Sequence, residues 1–123
     1  MSVVAATVLI VDDHPVCRRA AAELLSEEGY EVVGAEASGH DALAAADRLH
    51  PGIVVLDVGL PDMDGLEVAR RLTARRNGTV PAVVLASSRD PSDLGDVAER
   101  CGARGAIAKD ALSGNAIAAL AAA

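Results

Sequence analysis

Five short runs of mostly aliphatic residues recur along this chain, at intervals that leave room for a helix between them. They are Thr7 to Val11, Tyr30 to Ala35, IVVLD ending at Asp57, AVVLA stopping at Ser87 and GAIA ending at Lys109. Runs that are largely apolar, instead of alternating with polar residues, are typical of strands covered on both faces of a sheet. The pattern therefore predicts a parallel α/β sheet with right-handed helical crossovers.

Amphipathic stretches separate these runs, and their ends carry residues that begin or end helices. Ser38, Ser92 and Ser113 are expected to cap the second, fourth and fifth helices. Pro15 suits the first turn of the first helix. The predicted helices run from Pro15 to Glu28, from Ser38 to about His50, from about Leu66 to Arg76, from Ser92 to Cys101 and onward from Ser113.

Composition limits both the core and the partners. Tyr30 is the single aromatic residue, so the core of one domain spanning 1–123 must be built from Ala, Val, Leu and Ile. Eighteen acidic residues against eleven basic ones give a formal net charge of -7, which repels phosphate backbones. We therefore expect no direct nucleic-acid binding, and the basic stretch ARRLTARR is expected to be a solvated helix face.

The sequence carries no recognisable secretory signal or membrane span. Its apolar runs are far shorter than the roughly 20 residues that cross a bilayer. We expect a cytoplasmic protein that makes no membrane contact. Cys17 and Cys101 are too few for a disulfide framework and are expected to be small, reduced core residues.

Polar residues follow four of the five predicted strands. Asp12 and Asp13 follow the first strand, Asp57 ends the third, Ser87 ends the fourth and Lys109 ends the fifth. The carboxyl ends of parallel strands share one edge of the sheet, and ligands of open α/β sheets bind at that edge. We therefore expect these five side chains to meet there.

Three carboxylates at one edge need a compensating charge. At an effective dielectric of about 20, neighbouring carboxylates repel by a few kcal/mol per pair, so the cluster either raises the pKa of one acid or holds a cation. Oxygen ligands without Cys or His favour Mg²⁺. A magnesium ion beside a carboxylate, with a lysine and a hydroxyl facing it, favours phosphoryl transfer to an aspartate.

Four segments, VLIVDDHP, VVLDVGLPDMDGLEV, VVLASS and GAIAKDA, resemble in order and spacing the receiver domain of two-component response regulators. The resemblance covers nearly all 123 residues, and DDHPVCRRAAAELL and ARGAIAKDA are similar to the LuxR-type subfamily. It implies a flavodoxin-like (βα)5 fold, doubly wound, with a five-stranded parallel sheet of order 2-1-3-4-5.

The resemblance also implies a role for each residue at the sheet edge. Asp57 would accept a phosphoryl group from a sensor histidine kinase or a phosphotransfer protein. Asp12 and Asp13 would hold Mg²⁺ together with Asp57 and the backbone carbonyl of Gly59, and Lys109 would pair with the phosphoryl oxygens. The chain would catalyse only its own Mg²⁺-dependent phosphoryl transfer and dephosphorylation, and it is not expected to be an enzyme otherwise.

Signalling would start at Ser87, which would bond to a phosphoryl oxygen and draw its loop inward. The face made by the fourth helix, fifth strand and fifth helix would then bind a downstream protein, and homodimerisation on phosphorylation stays open. Ser88 is adjacent, so an error of one residue in the strand end would exchange the two serines. The family usually has an aromatic residue where this chain has Ala106, and Gly59 offers no side chain to shield the phosphoryl group from water.

Two classes of function fit this site. The first is a phosphorylation-activated signalling switch, and the alternative is a receiver truncated from a LuxR-type DNA-binding transcriptional regulator. A phosphohydrolase of the haloacid dehalogenase type would need a second acid two residues after its nucleophile, where this chain has Gly59. A dinucleotide-binding enzyme would need a glycine fingerprint after the first strand, where the chain has acids.

Three further polar residues near these motifs are expected to have plainer roles. His14 follows the acid pair, and we expect a solvated residue at the start of a helix rather than a metal ligand. Asp64 is expected to cap the third helix, and Asp62 is expected to be solvated.

Overall fold

Strands and helices alternate along the computed structural model, which describes residues 6–74, 80–88 and 90–122. The strands are β1 Thr7–Val11, β2 Glu31–Glu36, β3 Ile53–Asp57, β4 Ala82–Ser87 and β5 Gly105–Ala108. The α-helices are α1 Pro15–Glu27, α2 Gly39–Leu49, α3 Gly65–Thr73, α4 Gly95–Arg100 and α5 Gly114–Ala121. Two 3₁₀ turns, Pro91–Leu94 and Lys109–Ala111, precede α4 and α5.

The five strands form one parallel sheet in the order β2-β1-β3-β4-β5. The predicted flavodoxin-like, doubly wound topology is therefore confirmed. Because every pair is parallel, the carboxyl ends of all five strands lie at the same edge of the sheet. The residues that follow β1, β3, β4 and β5 are brought together at this edge.

Successive strand residues point to opposite faces of the sheet, and each face is covered by helices. On one face Leu9, Val54 and Leu85 pack in a cluster with residues of α2, α3 and α4. On the other face Ile10 and Val84 pack in a cluster with residues of α1 and α5. The largest fully buried side chains are aliphatic, as the composition predicted, and both faces of the central strands are closed to water.

Several helix ends carry the caps that the sequence predicted. The Ser38 side chain accepts a hydrogen bond from the Asp41 amide, and the Ser113 side chain accepts one from the Ala116 amide. Asp64 caps α3 by accepting from the Leu66 amide. These bonds satisfy amides that have no partner inside the helix, so each fixes where a helix begins.

The prediction that Ser92 caps the fourth helix is wrong. The carboxylate of Asp90 accepts hydrogen bonds from both the amide and the hydroxyl of Ser92, at 3.0 and 2.8 Å. This turn leads into the 3₁₀ segment Pro91–Leu94, and α4 begins only at Gly95. The Ser92 hydroxyl donates to Asp90 and so does not cap a helix. The helical spacing alone did not reveal this turn.

Several other boundaries differ slightly from the predictions, those of the second strand and the third helix among them. The second strand begins at Glu31, one residue after its predicted start at Tyr30. The Tyr30 hydroxyl donates a 2.8 Å hydrogen bond to the Gly114 carbonyl. The third helix ends at Thr73, short of its predicted end at Arg76, because Ala74 is its C-cap. The rest of the predicted extension, residues 75 and 76, lies outside the described residues. The Thr73 hydroxyl bonds to backbone carbonyls of its own helix and to that of Cys101.

The two cysteines have different environments. Cys101 is a buried core residue, as predicted, whereas Cys17 on α1 is exposed, so the core prediction for Cys17 is wrong. Cys17 lies in the first turn of α1, where it borders a cavity beside Asp12 and Lys109 instead of packing in the core, which the helical spacing alone did not reveal. Both cysteines are free thiols. None of the helices described is long and apolar enough to cross a membrane.

Gly65, the first residue of α3, packs directly on the backbone that follows β3. A Cβ atom at this position would lie 2.7 Å from the Asp57 carbonyl oxygen and 2.7 Å from the Val58 Cα. We expect Gly65→Ala to lower the free energy of unfolding by about 1–3 kcal/mol, because the backbone must shift to accept the methyl group. Urea unfolding followed by circular dichroism measures this change.

Gly52→Ala is the matched control for this substitution. Its Cβ would meet nothing closer than the Thr7 Oγ1 atom at 3.6 Å, which is an ordinary contact. We expect its unfolding free energy to stay within about 0.5 kcal/mol of the wild type. Equal stability of the two variants would contradict the close packing at Gly65.

Candidate functional site

The buried polar or charged residues among those described are three, and all lie at the carboxyl edge of the sheet. They are Asp12, Asp57 and Ser87, with 7, 4 and 3% of their surface exposed. Burying a polar group is costly unless it has partners, so their presence in an aliphatic core marks this edge as a candidate functional site. Each follows or ends a strand that the sequence identified.

Lys109 joins the two buried carboxylates. Its ammonium nitrogen lies 2.9 Å from Asp12 Oδ2 and 3.0 Å from Asp57 Oδ2, with only 18% of its side chain exposed. Burial acts to lower the pKa of Lys109, but the two carboxylates outweigh it and the pKa is raised. Lys109 is therefore a permanent positive charge beside two acids.

Asp12 is held in its ionised form by several partners. Burial acts to raise its pKa, but hydrogen bonds from the His14 backbone amide and from Lys109 outweigh it, and the pKa of Asp12 is lowered. The backbone around it is fixed as well, because its carbonyl accepts from Arg18 and its amide donates to Glu36 in the neighbouring strand β2.

The two oxygens of Asp57 have different surroundings. Oδ2 contacts Lys109, whereas Oδ1 accepts a 3.1 Å hydrogen bond from the Gly59 amide. A Cβ atom at Gly59 would meet nothing nearer than that same Oδ1, at 3.8 Å. Gly59 therefore leaves open space beside the Asp57 carboxylate. The predicted metal bond from the Gly59 carbonyl stays a prediction.

An open cleft of about 440 Å³ lies in front of Asp57. Gly59, Ser87, Ser88 and Lys109 line it, together with residues that lead into α4. Ser87 is the last residue of β4 and is buried, whereas Ser88 follows the strand and is exposed. The strand therefore ends where the sequence predicted, and both serines border the cleft.

The acid cluster has the composition of a cation site. Ligand atoms of Asp12, Asp13, His14 and Asp57 all lie within 4.8 Å of one another. Asp13 Oδ1 is buried and has no hydrogen-bond partner, although the His14 Nδ1 atom is 3.1 Å away. A divalent cation would satisfy this orphaned oxygen, so the residues present fit a magnesium ion.

His14 is placed differently from the prediction in one respect. It precedes α1 at the N-cap position, and 63% of its side chain is exposed, as expected of a solvated residue. Its Nδ1 atom, however, faces the cluster and lies 3.1 Å from Asp12 Oδ1. The spacing of the acids gave no sign of which way the ring would turn.

Asp62 is not merely solvated, so that prediction is wrong. Its carboxylate accepts hydrogen bonds from the amides of Gly39 and His40, at 2.8 and 3.0 Å, and from the His40 ring. The amide of Gly39 and the two groups of His40 hold the pKa of Asp62 well below its usual range. Asp62 thus ties the loop after β3 to the start of α2, a contact between residues more than 20 positions apart.

The fold and this edge together define a class of protein, an aspartate-bearing domain with a flavodoxin-like sheet. Solved structures of the same fold include the signal receiver domain of the response regulator NarL from Mycobacterium tuberculosis, at 29% identity and a TM-score of 0.80 over 94% of this chain and 93% of that one. The chemotaxis response regulator CheY4 of Vibrio cholerae has a TM-score of 0.80 at 25% identity, over 94% of this chain and 95% of that one.

A family model for the response regulator receiver domain matches residues 8–121, and the chain belongs to this family. The virulence-factor transcription regulator BvgA of Bordetella pertussis is 44% identical over 83% of this chain and 48% of that protein. The chain thus spans about half the length of this curated relative. Receiver domains bind Mg²⁺ through an acidic pocket, act in signalling rather than as classical enzymes, and interact with histidine kinases and downstream effectors.

The contact of Asp62 with α2 generates a prediction about stability. We expect Asp62→Ala to lower the thermal midpoint at pH 7, because it removes the acceptor of two backbone amides. Because the pKa of Asp62 is lowered in the folded state, its ionised carboxylate stabilises the fold above about pH 4. This stabilisation is lost as the pH falls toward and through the folded-state pKa. The difference in thermal midpoint between wild type and variant should therefore be smaller at pH 3 than at pH 7, as measured by calorimetry.

Glu99→Ala removes one exposed carboxylate from α4 and serves as the control. We expect it to leave the midpoint nearly unchanged at both pH values. A gap between wild type and Asp62→Ala that stays constant from pH 7 to pH 3 would contradict the role of the ionised carboxylate.

Proposed function

We propose that this chain is a phosphorylation-activated signalling switch that accepts a phosphoryl group on Asp57 from a histidine kinase or a phosphotransfer protein. The observation that carries the proposal is the Asp57 carboxylate itself, which is nearly buried, lies 3.0 Å from the Lys109 ammonium and borders an open cleft. We also infer that residues 1–123 form one receiver domain, in agreement with the family match over residues 8–121.

Asp12, Asp13 and Asp57 would hold Mg²⁺ in this pocket, together with the Gly59 carbonyl. The unpartnered Asp13 Oδ1 and the three clustered carboxylates support this assignment. The bound ion supplies positive charge that offsets the repulsion between the acids and the incoming phosphoryl group. Phosphorylation is therefore expected to stop when the ion is chelated.

Three residues would have separate roles in the phosphoryl transfer. An Asp57 oxygen forms a bond to phosphorus as the bond between phosphorus and the donor's histidine nitrogen breaks. Lys109 already contacts Asp57, so its ammonium can pair with an oxygen of the new acyl phosphate without a long movement. Gly59 leaves the acceptor open to water, which supports dephosphorylation by the same site.

The switch would act through β4 and the segment after it. Ser87 borders the same cleft as Asp57, so its hydroxyl can bond to a phosphoryl oxygen and draw the following loop inward. Leu94, which precedes α4, lines the cleft too, so this movement would reach α4 directly. A downstream protein would read the altered face of α4, β5 and α5.

A second candidate function is the regulatory half of a transcription regulator. It is supported by the relatives, because BvgA is named a transcription regulator and the chain matches 48% of its length. In that case the output would lie in another part of the protein, and these residues would not contact DNA themselves. The length of the native gene product distinguishes the two candidates.

Removing the acceptor tests the proposal most directly. We expect Asp57→Asn to abolish labelling by acetyl phosphate in the presence of Mg²⁺, since an amide oxygen is too weak a nucleophile for phosphorus. Intact-protein mass spectrometry counts the phosphoryl groups. Asp96→Asn, which changes an exposed acid on α4, should be labelled like the wild type. Labelling that persists in Asp57→Asn would remove Asp57 from the acceptor role.

The residue at position 106 generates a prediction about the switch. Ala106 is partly buried against the core and has no ring to reorient, so β5 should change little on activation. We expect beryllofluoride and Mg²⁺ to shift the amide NMR signals of Ser87, Ser88 and α4 by much more than those of β5. Large shifts confined to β5 would contradict this.

A further inference from the structure

His14 presents a ring nitrogen to the acid pocket, although it was expected to be merely solvated. Its Nδ1 atom lies 3.1 Å from Asp12 Oδ1, 3.1 Å from Asp13 Oδ1 and 3.8 Å from Asp57 Oδ2. The ring comes from the residue next to the acid pair, and its own backbone amide donates to Asp12 Oδ1. The pocket therefore contains one nitrogen and three carboxylates, rather than oxygen atoms alone.

These separations match the spacing of atoms that share one metal ion. Ligand atoms bound at about 2.1 Å and at right angles around one ion lie about 3.0 Å apart, and tetrahedral ligands lie slightly farther apart. The distances from His14 Nδ1 to the oxygens of Asp12 and Asp13 are close to that value. The orphaned Asp13 Oδ1 is one of the two oxygens nearest to the ring nitrogen.

We propose that His14 is a fourth side-chain ligand in this pocket, so that the pocket binds divalent transition-metal ions such as Co²⁺ and Zn²⁺ more tightly than Mg²⁺. The inference rests on the proposed function, because it uses the same carboxylates. It adds a ligand, and it makes the preference for these metals stronger than the carboxylates alone would provide.

The chemical reason is the nature of the imidazole nitrogen. Mg²⁺ prefers oxygen ligands and retains its waters, so it gains little from an imidazole. Cobalt and zinc ions bind imidazole well, and their affinity for a mixed nitrogen and oxygen site exceeds that of the hard cations. His14 therefore favours the transition metals while leaving magnesium binding nearly unchanged.

Lys109 does not exclude such an ion, although it is a nearby positive charge. Its ammonium contacts the Oδ2 atoms of Asp12 and Asp57, whereas His14 contacts the Oδ1 atoms of Asp12 and Asp13. Lys109 Nζ and His14 Nδ1 thus approach different oxygens of the Asp12 carboxylate. The two nitrogens are 3.5 Å apart. Oxygens remain for both cations.

Titration calorimetry with Co²⁺, Zn²⁺ and Mg²⁺ tests the proposal. Cys17 borders a cavity shared with Asp12 and Lys109, so every variant carries Cys17→Ser to remove an exposed thiol that would itself bind these metals. We expect His14→Ala to weaken Co²⁺ and Zn²⁺ binding at least about tenfold and Mg²⁺ binding less than about twofold. Because most of the His14 side chain is exposed, we expect His14→Ala to fold like the parent.

His50→Asn is the matched control. It removes another exposed imidazole, and asparagine tolerates the left-handed backbone of this residue, whose φ is 48°. We expect its three affinities to equal those of the Cys17→Ser parent. A second readout is the ¹⁵N NMR signal of the His14 Nδ1 atom, which Zn²⁺ should shift at one equivalent before it shifts that of His50.

The outcomes separate this inference from the proposed function. Unchanged Co²⁺ and Zn²⁺ affinities in His14→Ala, or an equal loss for Mg²⁺, would overturn the role of His14 even if Asp57 is phosphorylated normally. Failure of phosphorylation at Asp57 would overturn the proposed function, whatever the metal affinities. Asp13→Asn should weaken all three metals, and a variant that binds them like the parent would place the site elsewhere and overturn the inference.

Discussion

One ammonium group holds the functional edge of this protein together. Lys109, at the end of β5, contacts carboxylates that follow β1 and end β3, so a single charge joins three strands of the sheet. Without it, two nearly buried carboxylates would lie close together at the sheet edge with no lysine to offset their repulsion, which is costly where the effective dielectric is low. The clustered carboxylates can attract a cation, and the Lys109 ammonium can attract a phosphoryl group.

The strand pattern and the residues of the site were predictable from the sequence, because both depend on local order along the chain. Continuous aliphatic runs identify covered strands, and a parallel sheet brings their carboxyl ends to one edge whatever the details of packing. Asp12, Asp57, Ser87 and Lys109 therefore lie together as expected. The family match over residues 8–121 agrees with this reasoning.

The contacts that the sequence did not reveal depend on the direction of individual side chains. Asp62 bonds to the amides at the start of α2, and Asp90 bonds to Ser92 instead of leaving that serine to cap a helix. His14 turns its ring toward the acids although most of it is exposed. Nothing in residue spacing fixes such rotamers, since each depends on neighbours brought close only by the finished fold.

The single aromatic side chain has a consequence for how this protein can be observed. The chain contains one tyrosine and neither tryptophan nor phenylalanine, and the hydroxyl of Tyr30 bonds to the carbonyl of Gly114 at the start of α5. Its near-ultraviolet absorption and emission therefore come from one chromophore beside α5. Any rearrangement of that helix could be followed optically in the native protein, without an attached dye.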